Sequence, residues 1–271
     1  MKSSTLSLRM TACAAGLASA ITLGCVGRAT AGPIATDGPA QTAIAHPGAD
    51  GNGTVGTMSF APVSGTYKPV IGGGQTQAQT YHARVFQDGR GMCTSTLVSS
   101  RYILTARHCV EKPAQYTFRI ASTYAESGGT TAAATRINLH PSADLAMVRL
   151  DRDIPHTPAR IATSYPQTGS YLSVYGWGAT CTPQQYEAYC QSPVLKTATM
   201  RMAGLASDYY GGTALQLEAV DGVGAGGDSG GPAMTDHTLV GVASTSDRQS
   251  FTRYTATAPY ADWVKSVAAN G

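Results

Sequence analysis

Gly227-Asp228-Ser229-Gly230-Gly231-Pro232 sets one serine among glycines, with an acid before it and a proline after the last glycine. Alone, the stretch reads equally well as a turn. Its G-x-S-x-G core also fits the strained strand-to-helix elbow that exposes a nucleophilic serine, but that arrangement needs an acid and then a histidine downstream. The 42 residues after Ser229 contain one histidine, His237, only eight positions on and too close to be its partner. Partners must therefore lie upstream, and two segments supply them. Leu104-Thr105-Ala106-Arg107-His108-Cys109 carries a histidine, and His140-Pro141-Ser142-Ala143-Asp144 places an acid directly before the apolar run Leu145–Leu150. A serine hydroxyl is a weak nucleophile until a base takes its proton, and that base needs a third group to hold its tautomer. His108, Asp144 and Ser229 offer those three roles in the chain order His, Asp, Ser.

The rest of the chain suits a β scaffold. Of its 271 residues only 13% are charged, against a usual ~25%, while Gly (31) and Pro (14) are plentiful. That excludes a coiled coil, a charge-rich disordered chain and a helix bundle built on Glu, Lys and Leu, and it favours an all-β domain with many tight turns. Short β-type runs at 83–86, 102–105, 145–150, 171–175 and 239–243 are separated by turn residues, the texture of a barrel or sandwich. Ala258–Ala269 is turnless and spaces Tyr260, Val264 and Val267 near a helical period, predicting a C-terminal helix. No internal repeat is visible.

Residues 1–31 read as a secretory signal peptide: Lys2 and Arg9 at the start, a mostly apolar stretch from Met10 to Val26, and Ala29-Thr30-Ala31 as an A-x-A cleavage signal. Cys25 as a lipid-modified residue is the weaker alternative. Residues 32–69, rich in Gly, Pro, Ala and Thr, read as a pro-segment or linker, and 70–271 as the folded domain. The formal charge of +3 belongs to the leader, which holds Lys2, Arg9 and Arg28; without it 16 basic residues face 16 acidic ones. A neutral chain with no basic cluster has no footprint for nucleic acid or an anionic membrane. Export implies an oxidising compartment, in which Cys93, Cys109, Cys181 and Cys190 pair. Three pairings are open, and sequence proximity favours Cys93–Cys109 with Cys181–Cys190. Neither pair has the C-x-x-C spacing of a zinc site.

Taken together, the three segments resemble the chymotrypsin/trypsin family of serine endopeptidases, whose motifs read roughly T-A-A-H-C, D-I-A-L and G-D-S-G-G-P. The resemblance covers about residues 70–271. Cys93, sixteen residues before Cys109, is similar to the family's bridge beside the histidine. Gly176-Trp177-Gly178, Leu239–Ser244 and Tyr260-Ala261-Asp262-Trp263-Val264 resemble further family segments. The resemblance implies two antiparallel Greek-key β-barrels with the active site between them and a C-terminal α-helix. It also implies peptide hydrolysis by Ser229, with His108 as base and then acid, Asp144 as its orienter, and the Gly227 and Ser229 amides as the oxyanion hole. Ser244 resembles the family's serine beside the catalytic acid. A secreted, monomeric enzyme acting on polypeptides follows, with a protein inhibitor as a further partner class. No cofactor or metal is expected, since Glu111 and Glu126 are isolated. The rivals are a catalytically silent binding protein on the same fold and a secreted esterase.

Several positions depart from the family pattern. Arg107 replaces a small alanine and needs space or a partner. Thr94-Ser95 replaces glycines. Ala225 stands where the serine loop's cysteine is expected, so one family disulfide is missing there; the bridge flanking the specificity-pocket region is missing too. The residue six before the serine, which lines the primary pocket in the family, is Val223, followed by Gly224; a trypsin-like preference for Arg or Lys has no acid there, and Asp221 reaches in only if the loop is shifted. Ser244, Ser246 and Gln249 are expected around the same pocket, which suggests a small or medium apolar side chain. Val70-Ile71-Gly72-Gly73 resembles the family's mature start, whose new ammonium pairs with the acid before the serine, here Asp228. The alternative is an internal arginine serving Asp228.

Overall fold

The computed structural model describes residues 71–181 and 184–270; the leader, the 32–69 segment and Val70 lie outside the described residues. Fourteen strands run β1 (Gly74–Gln75), β2 (His82–Gln87), β3 (Arg90–Ser99), β4 (Tyr102–Thr105), β5 (Tyr116–Ile120), β6 (Thr130–Leu139), β7 (Ala146–Leu150), β8 (Arg160–Ile161), β9 (Tyr171–Gly176), β10 (Lys196–Ser207), β11 (Thr213–Ala219), β12 (Pro232–Thr235), β13 (Thr238–Ser246) and β14 (Phe251–Ala256). Helix α1 (Ala261–Ala269) follows a 3-10 turn at Ala258–Tyr260. All five β-type runs read from the sequence fall on strands, and the C-terminal helix forms where its apolar spacing places it.

The strands close into two antiparallel barrels, ordered β2-β3-β4-β7-β6-β5 and β9-β10-β11-β14-β13-β12, the second sealed by pairing of β9 with β10. Both follow one circular order, first-second-third-sixth-fifth-fourth, which is Greek-key wiring. The repeat missing from the sequence is thus present in the topology. Closure removes the exposed edges that would otherwise template aggregation. β10 begins with alternating buried and half-buried residues, as a strand with one face turned into a barrel must.

Leu97, Ile103, Leu104, Phe118, Met147 and Leu150 fill the first barrel, and Met234, Leu239 and Val242 of the second join that cluster. Leu172, Val174, Met200, Leu215, Leu217 and Tyr254 fill the second. Helix α1 buries Val264 against the first cluster, with Tyr260, Trp263 and Val267 packed around it. Among the described residues two disulfides are present, Cys93–Cys109 and Cys181–Cys190, the pairing that sequence proximity favours. A loop of the first length contributes about 3 kcal/mol in the chain-entropy picture.

Candidate active site

His108 sits in a single 3-10 turn, Arg107–Cys109, at the end of β4, and Cys109 within that turn is fastened to β3 by its disulfide. Asp144 lies just ahead of β7, the strand antiparallel to β4, so one strand pair delivers both side chains to the same end of the first barrel. Asp144 is fully buried. Its Oδ2 accepts from His108 Nδ1 at 2.7 Å and from the Ser244 hydroxyl at 2.6 Å, and its Oδ1 accepts from the His108 amide at 3.0 Å. Burial pushes the Asp144 carboxyl up, but the bonds and charge of His108 and the Ser244 hydroxyl outweigh it and leave the pKa below the usual carboxylate value. An ionised Asp144 can only accept, so the imidazole carries its proton on Nδ1 and leaves Nε2 free as a base.

Ser229 and His108 line one cavity of about 490 Å³. The serine comes from the second barrel, at the end of the loop before β12. That loop is tied to the first barrel by Thr94 of β3, whose amide donates to the Ser229 carbonyl at 2.8 Å and whose hydroxyl donates to the Gly227 carbonyl at 2.9 Å. Thr94, a departure from the family glycines, therefore has a structural task. Gly227 has φ +99°, a left-handed value suited to glycine, and a Cβ there would lie 2.1 Å from Gln191 Oε1. Gln191 Nε2 in turn donates to the Gly226 carbonyl at 2.8 Å. Asp228 is buried, with Oδ1 accepting the Gly178 amide at 2.7 Å and Oδ2 the Ala225 amide at 3.0 Å. The Cys93 and Cys109 sulfurs lie within 4.8 Å of a His108 ring nitrogen. Joined to each other, they offer no thiolate to a metal.

A family model described as Trypsin matches residues 70–264. The chain belongs to the trypsin family. By family it is a serine endopeptidase, a hydrolase acting on polypeptides. It is 26% identical to Trypsin 5G1 of Aedes aegypti over 224 residues, covering 73% of this chain and 84% of that protein. It is 26% identical to Snake venom serine protease 3 of Craspedocephalus gramineus over 227 residues, covering 74% and 87%. Among solved structures it resembles neuropsin, described as a serine protease expressed in the limbic system of mouse brain (TM-score 0.61, 22% identity, 70% of this chain and 95% of that one). It also resembles the scabies mite inactivated protease paralogue S-D1 (TM-score 0.65, 19% identity, 74% and 98%). At those identities the structural likeness concerns the fold.

In this trypsin-family protein the cavity takes Gly224, Ser244 and Ser246 into its wall but neither Val223 nor Gln249. Val223 is turned into the second barrel's core and paired to Ile71, and Gln249 is exposed in the β13–β14 turn. Asp221 does not reach in either, because its carboxylate accepts the Thr199 amide at 2.6 Å. Thr252 lines the cavity beside Gly224, accepting the Gly224 amide at 3.0 Å, while Ser246 donates to the Gly224 carbonyl at 2.6 Å. Arg248 stands at the rim, its guanidinium held by Glu187 at 2.6 and 3.1 Å. Glu187 comes from the 3-10 helix Gln184–Tyr189 inside the Cys181–Cys190 loop, so that loop reaches the cavity. Arg107 finds its partners away from the imidazole: its guanidinium stacks 4.1 Å over the Tyr210 ring, lies 3.4 Å from Glu111 and donates to the His140 carbonyl at 3.2 Å.

Sequence reasoning missed Asp208. It is buried, and its carboxylate accepts from the Asp144 amide, the Thr255 hydroxyl, the Tyr210 amide and the Gly212 amide, all at 2.8–2.9 Å. Nothing in Ser207-Asp208-Tyr209 marks it: Tyr210 and Gly212 make a local turn around it, but the partners that tie it to the site, Asp144 and Thr255, come from distant parts of the chain. Lys196, Glu187 and Arg248 were missed for the same reason.

Proposed function

We propose that the protein is a secreted serine endopeptidase that cleaves peptide bonds through an acyl-enzyme on Ser229. His108 Nε2 takes the proton from Ser229 Oγ as Oγ bonds to the scissile carbonyl carbon. The imidazolium then protonates the leaving amine as the C–N bond breaks, and a water activated by the same nitrogen releases the acid. Asp144 holds the imidazole and balances its transient charge. Gly227 and Ser229 offer their amides to the oxyanion, a pair in which each donor is worth ~10²–10³ in rate. The observation that carries this reading is the buried Asp144 carboxylate, which grips His108 at two points while His108 and Ser229 share one cavity.

The cavity's Gly224, Ser246 and Thr252 bring no charge to it, and Arg248 is neutralised by Glu187. Both facts support a small or medium apolar side chain at the cleaved bond. Secretion rests on the composition of residues 1–31 and on the two disulfides. Among the described residues no helix is long and apolar enough to cross a membrane. A fluorophosphonate probe tests the reading. It should label the wild type at Ser229 and leave Ser229→Ala unlabelled, with protein hydrolysis falling ~10⁴-fold or more. An unreactive wild type returns the chain to the silent binding-protein reading, and cleavage of esters without proteins returns it to the esterase one.

A further inference from the structure

Lys196 opens β10 and is completely buried. Its ammonium has no hydrogen-bond partner among the described residues. An ammonium withdrawn from water with nothing to bind is costly, so its position needs a charge nearby to balance it. The register of the second barrel supplies that charge. Lys196 stands directly opposite Gly176 of β9, and opposed residues of an antiparallel pair project to the same face. On that face a Cβ at Gly176 would lie 2.1 Å from Asp228 Oδ1, and one at Gly178 would lie 2.3 Å from the Asp228 carboxyl carbon. Two glycines thus make room for a buried carboxylate on the face to which Lys196 projects. Among the described residues Asp228 has only backbone amides as hydrogen-bond donors. Among the described residues Arg84, also buried, is the other cation nearby, but one of its nitrogens is engaged with the Trp177 carbonyl at 3.2 Å.

We propose that Lys196 is the internal counter-ion of Asp228, a positioning residue that holds the Ala225–Ser229 loop in its working form without any cleavage before Val70. The proposal rests on the serine endopeptidase reading. Asp228 lies between the two residues whose amides face the oxyanion, and its Oδ2 accepts the Ala225 amide at the start of the loop. Fixing its side chain therefore fixes the turn that aims both amides. With the ammonium supplied from β10, a new chain terminus is not required, and the chain with residues 32–69 still attached is competent.

Titration separates this role from a purely structural one. Burial pulls the Lys196 pKa down to about 8, with Asp228 holding it up against that pull. Burial likewise pushes Asp228 up, opposed by Lys196, the Ala225 and Gly178 amides and Arg84. Among the described residues the remaining groups facing this cluster are Tyr254, which burial and Asp228 push well above its usual value, and Glu126, which faces Arg84. The ammonium is present below about pH 8 and lost above it, so turnover should fall on the alkaline side with a midpoint near 8.

The experiment uses the secreted chain with 32–69 attached, its intact mass verified. We expect it to hydrolyse peptides, with Lys196→Met lowering kcat at least 30-fold at pH 7 while KM changes less than threefold. Lys196→Arg should restore turnover and move the alkaline limb by more than one pH unit. A Lys196→Met chain with wild-type kcat and pH profile overturns the proposal. So does an inert uncleaved chain that becomes active when it begins at Val70. Should Ser229 react with fluorophosphonate in no form, the hydrolase reading fails by itself, and the ion pair is judged separately. The ¹³Cε resonance of labelled Lys196 should titrate near 8 in the wild type and more than one unit lower in Asp228→Asn; equal midpoints overturn the pairing.

Discussion

Asp208 shows how much of the proposed catalytic geometry rests on a buried residue that does not line the cavity. Its two oxygens gather four donors, one of them the amide of Asp144 itself. Removing the carboxylate leaves buried N–H groups unpaired, and each unpaired buried donor costs about 1–3 kcal/mol. Asp208→Ala should therefore lose about 3 kcal/mol of stability in denaturant titration. Its kcat should fall ~10-fold or more, because a 1 Å drift of Asp144 carries His108 with it. An unchanged kcat in the folded variant would show that the His108 and Ser244 bonds position Asp144 unaided. Arg107 is the opposite case: conspicuous beside the histidine, yet spent on Tyr210 and Glu111.

At the scale of an element, the turn from β13 to β14 shapes the cavity wall through Asp247. Its carboxylate accepts the amides of Gln249, Ser250 and Phe251 at 2.8–2.9 Å and the Ser250 hydroxyl, closing the turn that carries Arg248 and Ser246. Burial pushes this carboxyl up, but those donors prevail and pull it down to about 2. A lowered folded-state pKa stabilises at pH values above the unfolded one, about 4, and the contribution disappears as pH falls toward 2. Asp247→Ala should melt lower than wild type at pH 7, by the equivalent of about 1 kcal/mol once solvent screening of a partly exposed group is allowed for. The gap should close near pH 2, and a gap that persists there would assign the effect to packing. The Cys181–Cys190 loop is a second such element: it brings Glu187 to Arg248, and Gln191, the residue just after it, reaches Gly226.

At the scale of the molecule, two barrels of identical wiring divide the proposed machinery between them. The first provides His108 and Asp144, the second Ser229 and the Ser244 hydroxyl that binds Asp144. Thr94 bridges the divide by holding the Ser229 and Gly227 carbonyls from β3. Thr94→Val keeps the shape and the amide but deletes the hydroxyl. It should lower kcat ~10-fold with KM little changed, because the Gly227 peptide loses the bond that orients it. Steady-state kinetics on a peptide substrate checks this, and an equal loss in KM alone would move Thr94 from the oxyanion loop to substrate binding.

His108, Asp144 and Ser229 could be proposed from the sequence because catalytic chemistry restricts residue type, and their short flanking motifs carry that restriction locally. The strand runs and the C-terminal helix were legible because hydrophobic periodicity is local too. The duplicate barrels were not, since strand order is set by pairings between residues far apart, and very different sequences fill the same circuit. The cavity wall and the buried charges around Asp228 were likewise decided only by the folded chain. Val223 turning inward, Thr252 arriving beside Gly224 and Lys196 lying across from Gly176 each depend on register between separate strands, and a shift of one residue would reverse the face on which every one of those side chains lies.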